Sequence, residues 1–252
     1  MPSYKMYWAD ETRYAQIADT MPRRRFYKLR NYLHVNNNDN MLPREHANHD
    51  KLFKVRPLLD KLKENFSKIE VEEFDCIDEM MIPLKSHTSM RQYIKSKPHR
   101  WGIKVFAPAG ASGMIYDFEI YVGKGTNISD DVELGVGENV VIRLCQNLPK
   151  QRNFKLFMDN WFTSLALAAK LKAEGIYMVG TIRKNRLAGC SLKSDATLKQ
   201  EGRGSFDYRV DINDNVLMLK WHDNKAVHLI STYKSQEPVE EVRRWSVAHK
   251  SY

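Results

Sequence analysis

Two aspartates stand out because of the residues around them. Asp78 follows an alternating run, Val71-Glu72-Glu73-Phe74-Asp75-Cys76-Ile77, and precedes the apolar Met80-Met81-Ile82. Asp159 follows Phe154-Lys155-Leu156-Phe157-Met158, a second short apolar run. A carboxylate set between apolar residues must be solvated, paired or metal-bound, because burying it bare is very costly. Two strand-end aspartates far apart in the chain are what a two-metal phosphoryl-transfer site needs. Mg²⁺ takes one or two carboxylates, keeps several waters and leaves room for phosphate oxygens. A strand-end aspartate taken singly is more simply a turn former or helix cap, and Asp159 stands just ahead of a helical pattern.

The elements that must position these residues follow from periodicity. Residues 71–77 read as a strand with Val71, Glu73, Asp75 and Ile77 on one face and Glu72, Phe74, Cys76 and Asp78 on the other. Residues 102–107 and 114–122 read as a hairpin around Pro108-Ala109-Gly110-Ala111-Ser112-Gly113. A helix is expected within 131–147, then the strand that ends on Asp159. Thr163 and Ser164 cap a helix through 165–171, Gly175 ends it, and 176–182 is a further strand. The order β-β-β-α-β-α-β is that of an α/β, RNase H-like (retroviral integrase-type) mixed sheet flanked by helices, in which acids converge from the first and fourth strands.

Residues 1–70 read as an N-terminal helical segment. Thr20 and Pro22 offer a helix start, Phe26, Leu29 and Leu33 fall at helical spacing among basic residues, and Leu52 to Leu62 form a second amphipathic helix. Residues 71–185 hold the expected mixed sheet and both aspartates, the region expected as the core. Residues 186–252 read as a C-terminal β-rich insertion: strands at 205–210, 216–221 and 226–232, a turn at Asp214-Asn215, and a basic tail from 238 with no evident closure.

Charge supplies the partner class. The 252 residues carry 40 Lys+Arg against 31 Asp+Glu, a net charge of +9, which favours an anionic partner such as DNA. From Met81 to Lys104 there is no acid, but there are Lys85, Arg91, Lys95, Lys97, Arg100 and Lys104, with Tyr93 and Trp101 among them. A one-sign stretch beside carboxylates lets a site hold a phosphate backbone that the acids alone would repel. Arg183 and Lys184 open a second basic stretch. No apolar run nears the twenty residues of a membrane span. The isolated Cys76, Cys145 and Cys190 support neither a zinc site nor a disulfide framework and fit a reducing compartment.

The chain resembles the piggyBac transposase family in a series of words that occur in family order. They are Met21-Pro22-Arg23-Arg24-Arg25-Phe26 with Tyr32-Leu33; Ile77-Asp78-Glu79-Met80-Met81; Arg91-Gln92-Tyr93-Ile94-Lys95-Ser96-Lys97-Pro98 with Trp101-Gly102-Ile103-Lys104; Tyr121-Val122-Gly123-Lys124-Gly125-Thr126; Met158-Asp159-Asn160-Trp161-Phe162-Thr163-Ser164; and Val179-Gly180-Thr181-Ile182-Arg183. The resemblance implies an RNase H-like core that cuts DNA and joins it to a target with three aspartates and a divalent metal, Mg²⁺ or Mn²⁺. By motif, the first aspartate is Asp78 and the second Asp159, both as catalytic residues and as metal ligands. The third belongs to a word ending in Gly-Gly-Val-Asp, which this sequence lacks; Asp207, Asp211, Asp214 and Asp223 do not match it.

The expected function is therefore a nuclear, transposase-derived, DNA-associated protein with a truncated, incomplete cleavage and strand-transfer core, inactive alone. Homodimerisation or association with a related transposase is a further expectation. Two alternatives stand beside it: an active metal nuclease with Glu79 or Asp75 as substitute third carboxylate, and a protein-interaction module without DNA chemistry.

Overall fold

The computed structural model describes residues 3–240, so the basic tail from 241 onward lies outside the described residues. The chain forms two compact units, Met1–Leu62 and Lys63–Tyr252.

The first unit is helical, with α1 (Ala15–Ala18) and α2 (Arg23–Tyr32); α3 (Arg56–Phe66) spans the boundary between the units. Thr20 does not cap α2. Its hydroxyl donates to the Gln16 carbonyl at 2.8 Å, and Pro22 occupies the cap position with no side-chain hydrogen bond. An aromatic cluster holds this unit: Phe26 lies 5.3 Å from Trp8 and 5.7 Å from Tyr4, ring centre to ring centre, and the Arg30 guanidinium sits 4.7 Å over Tyr4.

The second unit is built on one mixed sheet. Its strands are β1 (Phe74–Pro83), β2 (Arg91–Tyr93), β3 (Trp101–Gly110), β4 (Glu119–Ile120), β5 (Phe154–Met158), β6 (Ile176–Thr181), β7 (Phe206–Asp211), β8 (Val216–His222) and β9 (Ala226–Ser231). The spatial order is β2-β3-β1-β5-β6-β9-β8-β7, and β4 also pairs with β3. β1–β5 and β5–β6 are parallel; the other pairs are antiparallel. Three helices accompany the sheet: α4 (Val136–Leu144), α5 (Leu165–Ala173) and α6 (Asp195–Glu201). Among the described residues no helix is long and apolar enough to cross a membrane.

Alternation along the strands decides the core. Ile77, Phe106, Leu156, Met158 and Met178 are buried with Val140, Val141 and Leu144 of α4 and Leu167, Ala168 and Leu171 of α5. These are every second residue of their strands, so one face of the sheet meets the helices. α5 is capped by Ser164, whose hydroxyl accepts from Leu167 N–H at 3.1 Å. α4 begins later than 131, because Asn139 ties the Asp131 and Leu134 carbonyls at 3.0 and 3.1 Å and holds that segment as a loop.

The structure also departs from the sequence reading around the sheet. The hairpin strand expected over 114–122 shrinks to Glu119–Ile120 and a single bridge between Ala109 and Ile115. Asp117 interrupts it: its carboxylate accepts from the Phe118 N–H at 2.7 Å and from Arg143 at 2.9 Å. The strands after residue 205 do not stand apart, since β9 pairs with β6 and extends the same sheet. A helix, α6, precedes them, with Ser194 as its cap.

The turn after β5 fits only because two glycines lie against it. A Cβ at Gly180 of β6 would come within 2.7 Å of both the Met158 carbonyl and the Thr163 hydroxyl; one at Gly137 of α4 would come within 2.6 Å of the Trp161 carbonyl. Gly180→Ala is expected to destabilise the chain by about 1–3 kcal/mol, read as a lower urea midpoint with an unchanged m value.

One core position is anomalous. Asp75, on the helix-facing side of β1, is 3% exposed, and neither carboxylate oxygen has a hydrogen-bond partner among the described residues. Burial, with a smaller push from Glu72, raises its pKa to about 6. Between its unfolded value and about 6 the folded state keeps a proton that the unfolded chain has released, so this group's contribution to stability falls as pH rises through that window and is flat above it. The gap corresponds to about 3 kcal/mol. Asp75→Asn is expected to match the parent near pH 4 and to exceed it by about 1–3 kcal/mol at pH 7.5, measured by urea unfolding across that range.

Candidate functional site

The register of the parallel β1–β5 pair builds the site. It aligns Phe74 with Lys155 and continues to Ile77 with Met158. The next residues along are Asp78 and Asp159. Neighbouring strands run about 4.8 Å apart, so the two aspartates emerge side by side where β5 ends.

Asp78 is not at a strand end. β1 continues through it to Pro83, paired with β3 throughout. Met80 and Ile82 carry on the outward face while Glu79 and Met81 turn inward, so the strand passes the carboxylate without a break. Asp78 lies on the face opposite Asp75 and Ile77, and its side chain is 62% exposed. One oxygen accepts from the Glu79 N–H at 2.7 Å.

Asp159 ends β5 as an aspartate turn. Its carboxylate accepts from Trp161 N–H at 2.8 Å and its carbonyl from the Thr163 hydroxyl at 2.7 Å. The turn leaves Asp159 exposed. The turn is locked from several sides. Phe162 is fully buried, Trp161 stacks on Phe106 at 5.3 Å, Arg183 Nε donates to Asn160 Oδ1 at 3.2 Å, and Arg186 donates to the Thr163 carbonyl at 2.8 Å while lying 3.4 Å from Glu138.

Two lysines bring positive charge to the pair. Lys97, from the segment between β2 and β3, places its ammonium 3.9 Å from Asp78, 3.2 Å from the Glu79 carboxylate and 2.9 Å from the Glu79 carbonyl. Lys104 of β3 lies 4.2 Å over the Trp161 ring and 4.7 Å over Phe106. Burial lowers the Lys104 pKa, against the opposing pull of Glu79, Asp159 and Asp78.

The eight cations expected to face DNA divide into two groups. Lys85, Lys95, Arg100, Arg183 and Lys184 are exposed; Arg91, Lys97 and Lys104 are half-buried. Arg91 donates to the Lys85 carbonyl at 3.1 Å and lies 4.4 Å over Trp101, so it braces the β2–β3 pair. Sequence reasoning gave Arg186 and Trp161 no role at this turn. The Asp-Asn-Trp-Phe-Thr-Ser word marked that place, but nothing local in it says which atoms the turn meets.

Among the described residues no group of three or more His, Cys, Asp or Glu side chains is placed to hold a metal ion. Of the acids expected to bind a metal, Asp78 and Asp159 are exposed. Asp75 is buried on the other side of β1, and the Glu79 carboxylate is half-buried against Lys97.

Comparison with known proteins gives this site a context. The family model described as Transposase IS4 matches residues 1–251. Human PiggyBac transposable element-derived protein 3 is 34% identical over 251 residues, 98% of this chain and 41% of the relative. Human PiggyBac transposable element-derived protein 2 is 32% identical over 257 residues, 99% of this chain and 42% of the relative. The chain thus spans about two-fifths of the length of these relatives. In fold it is similar to a piggyBac transposase in a synaptic complex with hairpin DNA solved by cryo-EM, with a TM-score of 0.78, 21% identity, and coverage of 95% of this chain and 49% of that one. With the family model matched along nearly its whole length and piggyBac-derived relatives at these identities, the chain belongs to the piggyBac-type transposase family.

Proposed function

We propose that this is a transposase-derived, DNA-associated protein in which Asp78 and Asp159 form part of an RNase H-like, metal-dependent cleavage and strand-transfer core that is incomplete within these residues. The observation that carries the reading is the parallel register that sets Asp78 beside Asp159. Counted without the short edge strand β2, the position of Asp78 on the first strand and of Asp159 at the end of the fourth supports the RNase H-like reading. Residues 71–185 hold the site, 1–70 form the helical segment and 186–252 take the place of the β-rich insertion.

The donor set fits Mg²⁺ or Mn²⁺ in part. Two hard, exposed carboxylates at adjacent strands suit a cation that keeps waters and takes phosphate oxygens, but among the described residues no third protein arm joins them. Such an ion, when bound, supplies charge neutralisation at the phosphoryl oxygens. The chain's own residues do the rest. Lys97 and Lys104 offset carboxylate charge that would repel a phosphate backbone, and the exposed Lys85, Lys95, Arg100, Arg183 and Lys184 hold that backbone. DNA as partner is consistent with the hairpin DNA bound by the piggyBac transposase of similar fold. A nuclear location and pairing with a second copy or a related transposase belong to the same proposal.

Fluorescence anisotropy with a short duplex tests it. Affinity is expected to fall steeply with salt, by about 0.9 logarithmic unit per decade of salt for each phosphate contacted. Alanine at Lys95, Arg100 and Lys184 together is expected to lower affinity at least tenfold and flatten that slope. Binding indifferent to salt, or none at 50 mM salt, would sink the DNA reading. A supercoiled plasmid with Mn²⁺ is expected to stay intact; metal-dependent nicking lost in Asp78→Asn would replace the incomplete core with an active one working through Glu79.

A further inference from the structure

The anomalous Asp75 lines a cavity of ≈ 50 Å³ on the helix side of β1, away from the Asp78–Asp159 pair. Its walls are mainly apolar, among them Phe66, Ile69, Leu144, Leu148 and Leu156. No Lys, Arg or His is among the lining residues. Asn147 also lines the cavity but makes no hydrogen bond to Asp75, and the stronger donors nearby are engaged elsewhere. Arg143 is held by Asp117 at 2.9 Å and Glu119 at 3.4 Å, and the Tyr116 hydroxyl donates to Glu72 at 2.7 Å. Burial pushes the Cys145 thiol up to about 12, so it stays neutral. Glu72 adds negative charge nearby.

The cavity therefore presents an unsatisfied, 97%-buried acceptor, a surplus of negative charge and hydrocarbon walls. A buried polar group in a native protein is nearly always hydrogen-bonded, so this carboxylate calls for a partner that the described residues do not supply. The complementary chemistry is a positive N–H donor attached to a short apolar body. We propose that the Asp75 cavity binds a small organic ammonium ion, its N–H groups on the Asp75 carboxylate and its hydrocarbon part against Leu148 and Leu156. At about 10–15 Å³ for each water-sized occupant, the space admits about four non-hydrogen atoms. That is the size of n-propylammonium. The inference is independent of the DNA chemistry and survives its failure.

The test is calorimetric titration of the full chain at pH 7.5 with n-propylammonium chloride, with 1-propanol as the neutral match and sodium chloride as the ionic control. Saturable binding with a Kd of about 0.1–10 mM is expected for the ammonium, at least tenfold weaker binding for 1-propanol, and loss of that preference in Asp75→Asn. The 1-propanol comparison uses the unaltered chain, so it does not depend on how the variant folds. Absence of saturable ammonium binding, meaning that only waters fill the cavity, overturns the proposal. So does equal affinity for 1-propanol, or an Asp75→Asn chain that binds the ammonium as well as the parent.

Discussion

Everything at the candidate site depends on the parallel pairing of β1 with β5. It brings together segments separated by a long stretch of chain, and closing such a loop carries an entropic cost before any contact is made. Parallel pairs are slightly weaker per residue than antiparallel ones. The pairing therefore rests on burial beneath it. Ile77, Leu156, Met158 and Met178 pack with α4 and α5, and the β5–α5–β6 crossover fixes β5 from its other side. Shifting β1 by one residue would turn Ile77 outward and carry Asp78 into the helices. The hydrophobic core thus decides where the carboxylate stands.

The second constraint is electrostatic. Two aspartates side by side repel each other, and Glu79 adds to the charge. Lys97 reaches Asp78 and Glu79, while Lys104 is held over Trp161 and Phe106 at a desolvation cost that lowers its pKa. Trp161 occupies that place because the Asp159 turn projects it onto Phe106, and the turn holds because Gly180 and Gly137 leave room for it. Packing and charge are in this way joined through one six-residue segment.

Much of this was legible in the sequence because it is local. The strand ending on Asp159, the Ser164 cap, the stop at Gly175 and the strand after it all follow from side-chain type and spacing. The alternation of Asp75 and Asp78 onto opposite faces was legible too. What was not legible depends on partners distant in sequence. β1 runs past Asp78 because β3 pairs with it to Pro83, and β9 joins the sheet because β6 offers it an edge. Sign and proximity alone gave Arg91, Lys97 and Lys104 the same expected role as the exposed Lys85 and Lys95. Their cation–π and ion-pair contacts, set by the strand register, distinguish them.

Asp78 and Asp159 are proposed to act as one carboxylate pair. Mn²⁺ affinity, measured by electron paramagnetic resonance for the parent, Asp78→Asn, Asp159→Asn and the double variant, addresses this most directly. Asparagine can still accept the Glu79 and Trp161 backbone N–H groups, so the turn and the strand are kept. Each single change is expected to weaken Mn²⁺ binding at least tenfold, and the double change to cost clearly less than their sum, the mark of two ligands on one ion. Independent, additive effects, or an Asp159→Asn chain that binds Mn²⁺ as the parent does, would contradict that pairing.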